Sequence, residues 1–277
     1  MTEVSLAVIT DVHGNALALE AVLADVRSHA PDLLVNLGDQ IWGQVDPLGA
    51  YELQAGLGAV EVRGNNDEKP LMDVASLPEV EGAYSRWLAR RAPREALQRL
   101  ASLPLSAALV DGKVLAAHGT PASPWRDLLW RVQDGALAPR PDAGVRTELE
   151  GLDPAVEVVL VGHTHSERVV HLDGRLLVNV GPVAWQNDGD PRARWALIRR
   201  RAGRWTVEMR RVEYDWYAAA RAVRANEPGY PAEADAHVEG ADQRDTRKRA
   251  CPRRTYRRRL SHTMQHHMAR ATPGGGW

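Results

Sequence analysis

Cysteine, long apolar runs and, over most of the chain, positive charge are scarce in this sequence of 277 residues. Cys251 is the single cysteine, so no disulfide can form within the chain, and a secreted domain held together by disulfides is excluded. No stretch approaches the roughly 18 uninterrupted apolar residues of a membrane-spanning helix. The first residues lack the basic start and apolar run of a signal peptide, so we expect a cytoplasmic protein that makes no membrane contact.

The formal net charge of −1 conceals two unlike parts of the chain. Residues 240–277 contain ten Lys and Arg against two Asp, whereas the remainder contains 25 basic and 34 acidic residues. We therefore predict an acidic domain over residues 1–239 and a basic tail over residues 240–277 that has no fixed structure. A short amphipathic helix through Leu260, Met264 and Met268 is the alternative for the tail.

Short apolar runs alternate with amphipathic segments in the acidic part. Val4–Thr10, Leu33–Leu37 and Val156–Val161 predict buried strands, and Leu17–Val26 predicts a helix. The segment 71–103 reads as a mostly helical insert. Turn signals at residues 111–112, 173–174 and 202–203 predict three hairpins. Alternating elements at the start and hairpins at the end predict a mixed α/β sandwich.

Five apolar runs end directly before side chains that can bind a metal. The carboxyl ends of strands in open α/β sheets share one edge, so we expect these side chains to meet there. Imidazole and carboxylate ligands favour manganese, zinc, iron or nickel over magnesium or calcium. Seven donors are too many for one tetrahedral ion and fit two ions that share a carboxylate: Asp11, His13, Asp39, Asn65, His118, His163 and His165.

Any one of these residues, taken alone, is more often structural, because a lone Asp before Gly is usually a turn residue. We expect that ordinary role for His29 and His171. The ordered set is different, because five independent accidents would each have to fall at the end of a strand.

The order of these motifs resembles the signature of the calcineurin-like dinuclear metallophosphoesterases. The segments TDVHGN, LVNLGDQ, VRGNND, AAHGTP and VLVGHTH look most like the small bacterial predicted phosphoesterases of that superfamily, over about residues 4–215. The resemblance implies an α/β/β/α sandwich of four layers, in which helices flank two mixed β-sheets and the metal site lies at the C-terminal ends of strands.

The resemblance also implies roles for individual residues. Asp11, His13 and His165 would hold one metal ion, and Asp39 would bridge to a second ion held by Asn65, His118 and His163. A hydroxide between two divalent ions, with manganese favoured, would attack phosphorus in line. The residues expected to act in catalysis are Asp39, Asn65, Asn66, Asp67 and His118, and those expected to bind substrate are Asn15, Asn66 and Arg63.

Two positions depart from the family pattern. Asn66 stands where many members have a His that protonates the leaving oxygen, and an amide cannot deliver a proton near neutral pH. We therefore expect diesters or phosphoanhydrides to react faster than alkyl monoesters, and Asp67 to support a metal-ligand His instead. The segment Asn179–Pro182 replaces an N-P-G-S turn and predicts a loop of similar function with altered shape.

Trp42, Trp125, Trp130 and Trp185 lie in or just after the motif loops. They predict either a stacking surface for a nucleobase or ordinary packing of the loops. The favoured function is hydrolysis of a small phosphoester, such as a nucleotide. The alternatives are a metal-binding scaffold or protein-interaction module with weak or no catalysis, and a phosphodiesterase that binds nucleic acid through its basic tail.

We predict that Asn66→His raises turnover of alkyl phosphate monoesters, because it supplies the missing proton donor. The measurement is kcat on an alkyl monoester and on an activated aryl diester, compared with the unsubstituted protein. An unchanged preference between the two substrates would contradict the role assigned to position 66.

Overall fold

Two five-stranded mixed sheets form the centre of the computed structural model, which describes residues 3–226. The first sheet has the order β12-β11-β1-β2-β3, and the second has the order β4-β5-β8-β10-β9. The strands of the first sheet are β1 (Val4–Ile9), β2 (Leu33–Asn36), β3 (Val60–Glu61), β11 (Ala193–Arg201) and β12 (Arg204–Val212). Those of the second are β4 (Ser106–Leu109), β5 (Val114–Ala117), β8 (Val158–Val161), β9 (Arg168–Leu172) and β10 (Arg175–Asn179).

Each sheet contains three adjacent parallel strands, and for this reason chemically active side chains collect at one edge. Strands β1, β2 and β3 are parallel, and so are β5, β8 and β10. Strands β11, β12, β4 and β9 join antiparallel at the sides. The loops that leave the carboxyl ends of the parallel strands therefore face one another across the two sheets.

Helices cover the outer face of each sheet. The helices are α1 (Ala16–His29), α2 (Pro47–Ala55), α3 (Asn65–Glu68), α4 (Glu79–Ala89), α5 (Arg94–Ala101), α6 (Asp142–Glu148) and α7 (Trp216–Ala225). The apolar side of α1 packs on β11, α6 packs on the second sheet, and the largest apolar cluster lies between the sheets. The predicted four-layer α/β/β/α sandwich is confirmed. Within residues 3–226, no helix combines the length and the apolar character needed to cross a bilayer.

The segment between β3 and β4 forms a cap of short helices on the site edge. It contains α3, single turns of 3₁₀-helix at Lys69–Leu71 and Val74–Ser76, and then α4 and α5. Leu88, Leu97 and Leu100 of α4 and α5 pack with Ile41 and Trp42 of the loop after β2. This packing confirms the predicted helical insert and fixes it to the rim of the first sheet.

All three predicted hairpins are present, as β4–β5, β9–β10 and β11–β12. The turns of β9–β10 and β11–β12 each have two residues with positive φ, such as 50° at Asp173 and 77° at Gly174, which suits two-residue loops. Sequence analysis missed a fourth hairpin, β6 (Trp130–Gln133) and β7 (Ala136–Pro139), although the same Asp-Gly signal joins its strands. It also missed α6. The predicted boundary at residues 239–240 and the basic tail lie outside the described residues.

We predict that Leu160→Ala lowers the free energy of unfolding by about 2–5 kcal/mol, because this side chain is fully buried between the sheets. The matched control is Leu71→Ala, which removes the same atoms from a position that is 38% exposed and changes stability by about 0.5 kcal/mol or less. Denaturant unfolding with a metal chelator measures both. Equal losses in the two variants would contradict the two-sheet core.

Candidate metal centre

Loops from both sheets bring the seven predicted ligands to one edge. Asp11 and His13 follow β1, Asp39 follows β2, Asn65 begins α3, His118 follows β5, and His163 and His165 follow β8. Five of the seven have left-handed backbone, with φ between 48° and 68°: Asp11, His13, Asp39, His163 and His165. This conformation costs non-glycine residues roughly 1–2 kcal/mol each. Strain on this scale is typical of functional sites.

One group of candidate ligands consists of Asp11, His13 and His165, whose ligand atoms all lie within 4.8 Å of one another. The Oδ1 atom of Asp11 lies 3.3 Å from Nε2 of His165 and 3.8 Å from Nε2 of His13. The two imidazole nitrogens are 3.0 Å apart. A cation held by these three residues would take donors from both sheets.

A second group consists of Asp11, Asp39 and His118. Nε2 of His118 lies 3.5 Å from Oδ2 of Asp39 and 3.9 Å from Oδ1 of Asp11. The Oδ1 atom of Asn65 is 3.0 Å from the same nitrogen. Oδ2 of Asp39 is also 3.7 Å from Nε2 of His13, so both carboxylates lie between the two groups. Sequence analysis expected only Asp39 in that intermediate position.

Three of the four histidines have the same orientation because each Nδ1–H donates to a backbone carbonyl. The bonds are 2.7–2.8 Å long, and each of them leaves Nε2 directed at the carboxylates. Such bonds fix the tautomer of a metal-binding imidazole. The pairs are His13 with Trp42, His118 with Leu37, and His165 with Trp185.

His163 differs from the other three. Its backbone N–H donates to Oδ2 of Asp11 at 3.1 Å, and its ring lies edge-on to His118 with centroids 5.1 Å apart. Its Nε2 lies 3.6 Å from Oδ1 of Asp127. His163 therefore touches the cluster but belongs to neither of the two groups of close ligand atoms.

Mutual attraction sets the charges of these buried groups. Burial opposes ionisation of Asp11, but His165 and His118 outweigh it and lower the pKa of Asp11 to about 2. Burial also opposes protonation of His118, yet Asp39 and Asp11 raise the pKa of His118 to about 9. His165 has a raised pKa because of Asp11. Burial lowers the pKa of His13 to about 4, with a contribution from His165.

The residues present fit divalent transition-metal ions. Oδ1 of Asp11 is buried, and nothing among the described residues donates a hydrogen bond to it. An orphaned buried carboxylate oxygen is costly unless a cation or a donor satisfies it. The surrounding donors are imidazole nitrogens and carboxylate or amide oxygens, which suit manganese, iron, nickel or zinc.

Asp67 supports the backbone of the site and does not support a ligand histidine, which corrects the expectation from the sequence. Its carboxylate accepts hydrogen bonds from the backbone N–H groups of Asp39, Gln40 and Gly64 at 2.8–2.9 Å. Burial and the charge of Asp39 raise the pKa of Asp67 to about 7. Asp67 thus holds the loop after β2 against the start of α3.

Asn66 binds Asp39 twice. Its backbone N–H donates to Oδ1 at 2.8 Å, and its side-chain amide donates to Oδ2. A cation between the two carboxylates would compete with this amide for Oδ2. The residue therefore lies at the metal cluster, as the sequence indicated.

Asn15 and Arg63, predicted to bind substrate, have other partners. Oδ1 of Asn15 caps α1 by accepting from the N–H of Ala18 at 3.0 Å, and its amide donates to the hydroxyl of Tyr214. The guanidinium of Arg63 donates to the carbonyl of Ala101 at 2.7 Å and pairs with Glu68. These contacts use the amide of Asn15 and part of the Arg63 guanidinium, and the phosphate-orienting role of both residues stays a prediction.

The four tryptophans contribute mainly to packing. Trp42 is 4% exposed within the cap, and the ring of Trp185 stacks on His13 with centroids 3.9 Å apart. The indole N–H groups of Trp125 and Trp130 donate to Glu68 and to the carbonyl of Ser166. The packing interpretation therefore accounts for the contacts of these rings.

Lys69 is a buried residue of the cap that the sequence did not single out. This lysine is 2% exposed, its Nζ lies 3.1 Å from Oε2 of Glu81, and it faces the rings of Trp42 and Trp125 at 5.1 and 5.4 Å. Burial lowers its pKa, and Glu81 and Asp39 oppose that effect. No pattern in the sequence marks it, because a lysine in a helical insert is usually exposed.

The loop at Asn179–Pro182 has the supporting role that its position suggested. The Asn179 amide donates to the carbonyl of Gly162 and the hydroxyl of Thr164, each at 2.8 Å. Its Oδ1 accepts from the N–H of Gly181, whose φ is 80°. Asn179 thereby fixes the segment that carries His163 and His165.

Comparison with known proteins agrees with this geometry. A family model described as the calcineurin-like phosphoesterase superfamily domain matches residues 4–200. An uncharacterized protein of Methanocaldococcus jannaschii is 27% identical over 236 residues, which are 78% of this chain and 90% of that protein. A metallophosphoesterase from Sphaerobacter thermophilus superposes with a TM-score of 0.67 at 27% identity, covering 85% of this chain and 99% of its own. A hypothetical protein from Pyrococcus horikoshii OT3 shares the fold, with a TM-score of 0.68 at 17% identity over 84% and 97% of the two chains.

We predict that the affinity for Mn²⁺ rises with pH between pH 6 and 8. The carboxylates raise the pKa of His118 to about 9, so this imidazole holds a proton at neutral pH that a cation must displace. The pKa of His165 is raised in the same direction. The affinity should rise about tenfold per pH unit for each proton released. Calorimetric titration in two buffers of different ionisation enthalpy counts those protons. Binding that is independent of pH over this range would contradict the assigned charges.

Proposed function

The chain belongs to the calcineurin-like phosphoesterase superfamily, and on that premise we propose that it hydrolyses phosphodiester or nucleotide-type phosphoanhydride bonds with two divalent cations. Membership makes it a metal-dependent phosphoester hydrolase. The number of ions, their identity and the substrate are the proposed part. Manganese is the cation that we favour among those that suit the donors.

The position of the two carboxylates between two sets of histidines carries the proposal of two ions. Asp11 belongs to both groups of close ligand atoms, and Oδ2 of Asp39 lies 3.5–3.7 Å from Nε2 of His118 and of His13. One ion of four or five ligands would leave part of this set unused. Two ions that share a carboxylate would use all of it.

Two cations bound here would supply the nucleophile by lowering the pKa of a water and would neutralise charge on the phosphate. The protein holds the donors that make this chemistry selective. His13, His118 and His165 direct Nε2 at the carboxylates because their Nδ1–H groups donate to backbone carbonyls. Asp67 holds Asp39 through its backbone N–H, and Asn66 holds it through its carboxylate.

The preference for good leaving groups is supported by the chemistry of position 66. The Asn66 amide donates a hydrogen bond to the Asp39 carboxylate, and its N–H groups are not acidic enough to protonate a departing alkoxide. An aryloxide or a phosphate leaves without protonation more readily than an alkoxide, because it is the weaker base. Diesters with acidic leaving groups and phosphoanhydrides are therefore the substrates that we favour.

We predict that His118→Ala lowers kcat/KM for bis(4-nitrophenyl) phosphate by at least about 10²-fold, because it removes a donor that lies against both carboxylates. Asp39→Ala should have a comparable effect. The matched control is His171→Ala, an exposed histidine on β9 whose loss should leave activity unchanged. Release of 4-nitrophenolate with added Mn²⁺ is the measurement.

Two results would contradict the proposal. Turnover that persists in both site variants would place the chemistry elsewhere. Binding of two ions without turnover of any ester, tested with manganese, nickel, zinc and magnesium, would favour the scaffold alternative.

A further inference from the structure

The exceptional orientation of His163 identifies a residue that no motif marks. In the other three histidines of the cluster, Nδ1–H donates a hydrogen bond to a backbone carbonyl and Nε2 faces the carboxylates. In His163, Nε2 instead faces the carboxylate of Asp127 at 3.6 Å. Nδ1 is then the nitrogen left for a metal, which is the opposite choice to that of its three neighbours.

We propose that Asp127 is a positioning residue that accepts a hydrogen bond from Nε2–H of His163. It thereby fixes the tautomer of His163 in which Nδ1 is available to bind the second cation. This inference rests on the proposed dinuclear site. A carboxylate behind a ligating imidazole fixes the tautomer and raises the basicity of the ligand. The present separation of 3.6 Å is longer than a hydrogen bond, so the proposal requires the two side chains to approach by several tenths of an ångström.

The surroundings of Asp127 favour a fixed position. Its side chain is 11% exposed, and it is followed by the fully buried Leu128 and Leu129. The carbonyl of Asp127 accepts a hydrogen bond from Arg140 at 2.8 Å. The loop that follows His118 therefore returns across the site edge and places this carboxylate against the loop of His163.

Two charged side chains lie close to Asp127. Burial and the nearby Glu148 raise the pKa of Asp127 to about 6, and Arg140 opposes that rise. Glu148 forms an ion pair with Arg126 and lies 3.8 Å from Arg140, so it competes with Asp127 for the guanidinium of Arg140. When His163 binds a cation, its ring would carry a partial positive charge. This charge would attract the adjacent Asp127 carboxylate and stabilise its position.

The test is a Mn²⁺ titration of the full chain, with free ion counted by electron paramagnetic resonance. We expect two ions to bind the unsubstituted protein. Asp127→Ala should weaken one of the two by about 10–100-fold and leave the other unchanged. Asp127→Asn, which keeps an acceptor oxygen but loses the charge, should lie between. The matched control is Glu148→Gln, which changes a neighbouring carboxylate without a contact to His163 and should retain both affinities.

A double substitution gives an independent readout. Asp127→Ala should add no further loss of metal affinity in a His163→Ala background, because it acts through that imidazole. Two tight ions in Asp127→Ala, or equal weakening of both, would overturn the inference alone. Fewer than two ions in the unsubstituted protein would instead overturn the proposed dinuclear function.

Discussion

The carboxylate of Asp11 is the contact on which the arrangement of the site depends, because it joins the two sheets. Its Oδ2 accepts from the Thr10 hydroxyl at 2.8 Å and from the N–H of His163 at 3.1 Å, and that histidine follows a strand of the other sheet. Its Oδ1 is thereby aimed at three imidazoles. A Cβ on Gly162 would lie 2.1 Å from the Thr10 hydroxyl, so the two edges meet only where glycine removes the side chain.

Protons and cations are alternatives for balancing the charge of this edge. Asp11 and Asp39 are buried, and an unpaired carboxylate in such a place is costly. The two carboxylates raise the pKa values of His118 and His165, so a proton on either imidazole offsets their negative charge. The same imidazoles become neutral ligands when cations replace the protons.

The sequence singled out all five members of the two groups of candidate ligands, because each follows an apolar run and parallel strands end at a common edge. It did not predict which residues form hydrogen bonds with the polar side chains around the site. Asn15 is bound to Tyr214, which is 199 positions away, and Arg63 is bound to Ala101 across the cap. Such pairs depend on how distant segments pack. The carbonyl of Trp185 that orients His165 has no sequence signal at all, because every residue has a carbonyl.

Asp127 and Lys69 were missed for a related reason. Neither belongs to a motif, and the chemistry of each comes from burial and from the neighbours that the fold brings to it. By contrast, the three predicted hairpins were found because a turn residue with positive φ leaves a local mark on the sequence. Local backbone requirements can be read from the chain, whereas the environment of a single polar side chain is a property of the packed molecule.

Neighbouring loops of the first sheet hold each other by backbone hydrogen bonds, and this limits how the site can be transferred. The N–H groups of Asp11, His13 and Gly14 donate to the carbonyls of Gly38, Asp39 and Gln40, each at 3.0 Å. These bonds hold the left-handed residues Asp11 and His13 of one loop against the left-handed Asp39 of the other. An engineer who grafts one motif onto another scaffold would lose its conformation, so the loops are transplantable only as a pair, together with the carboxylate of Asp67.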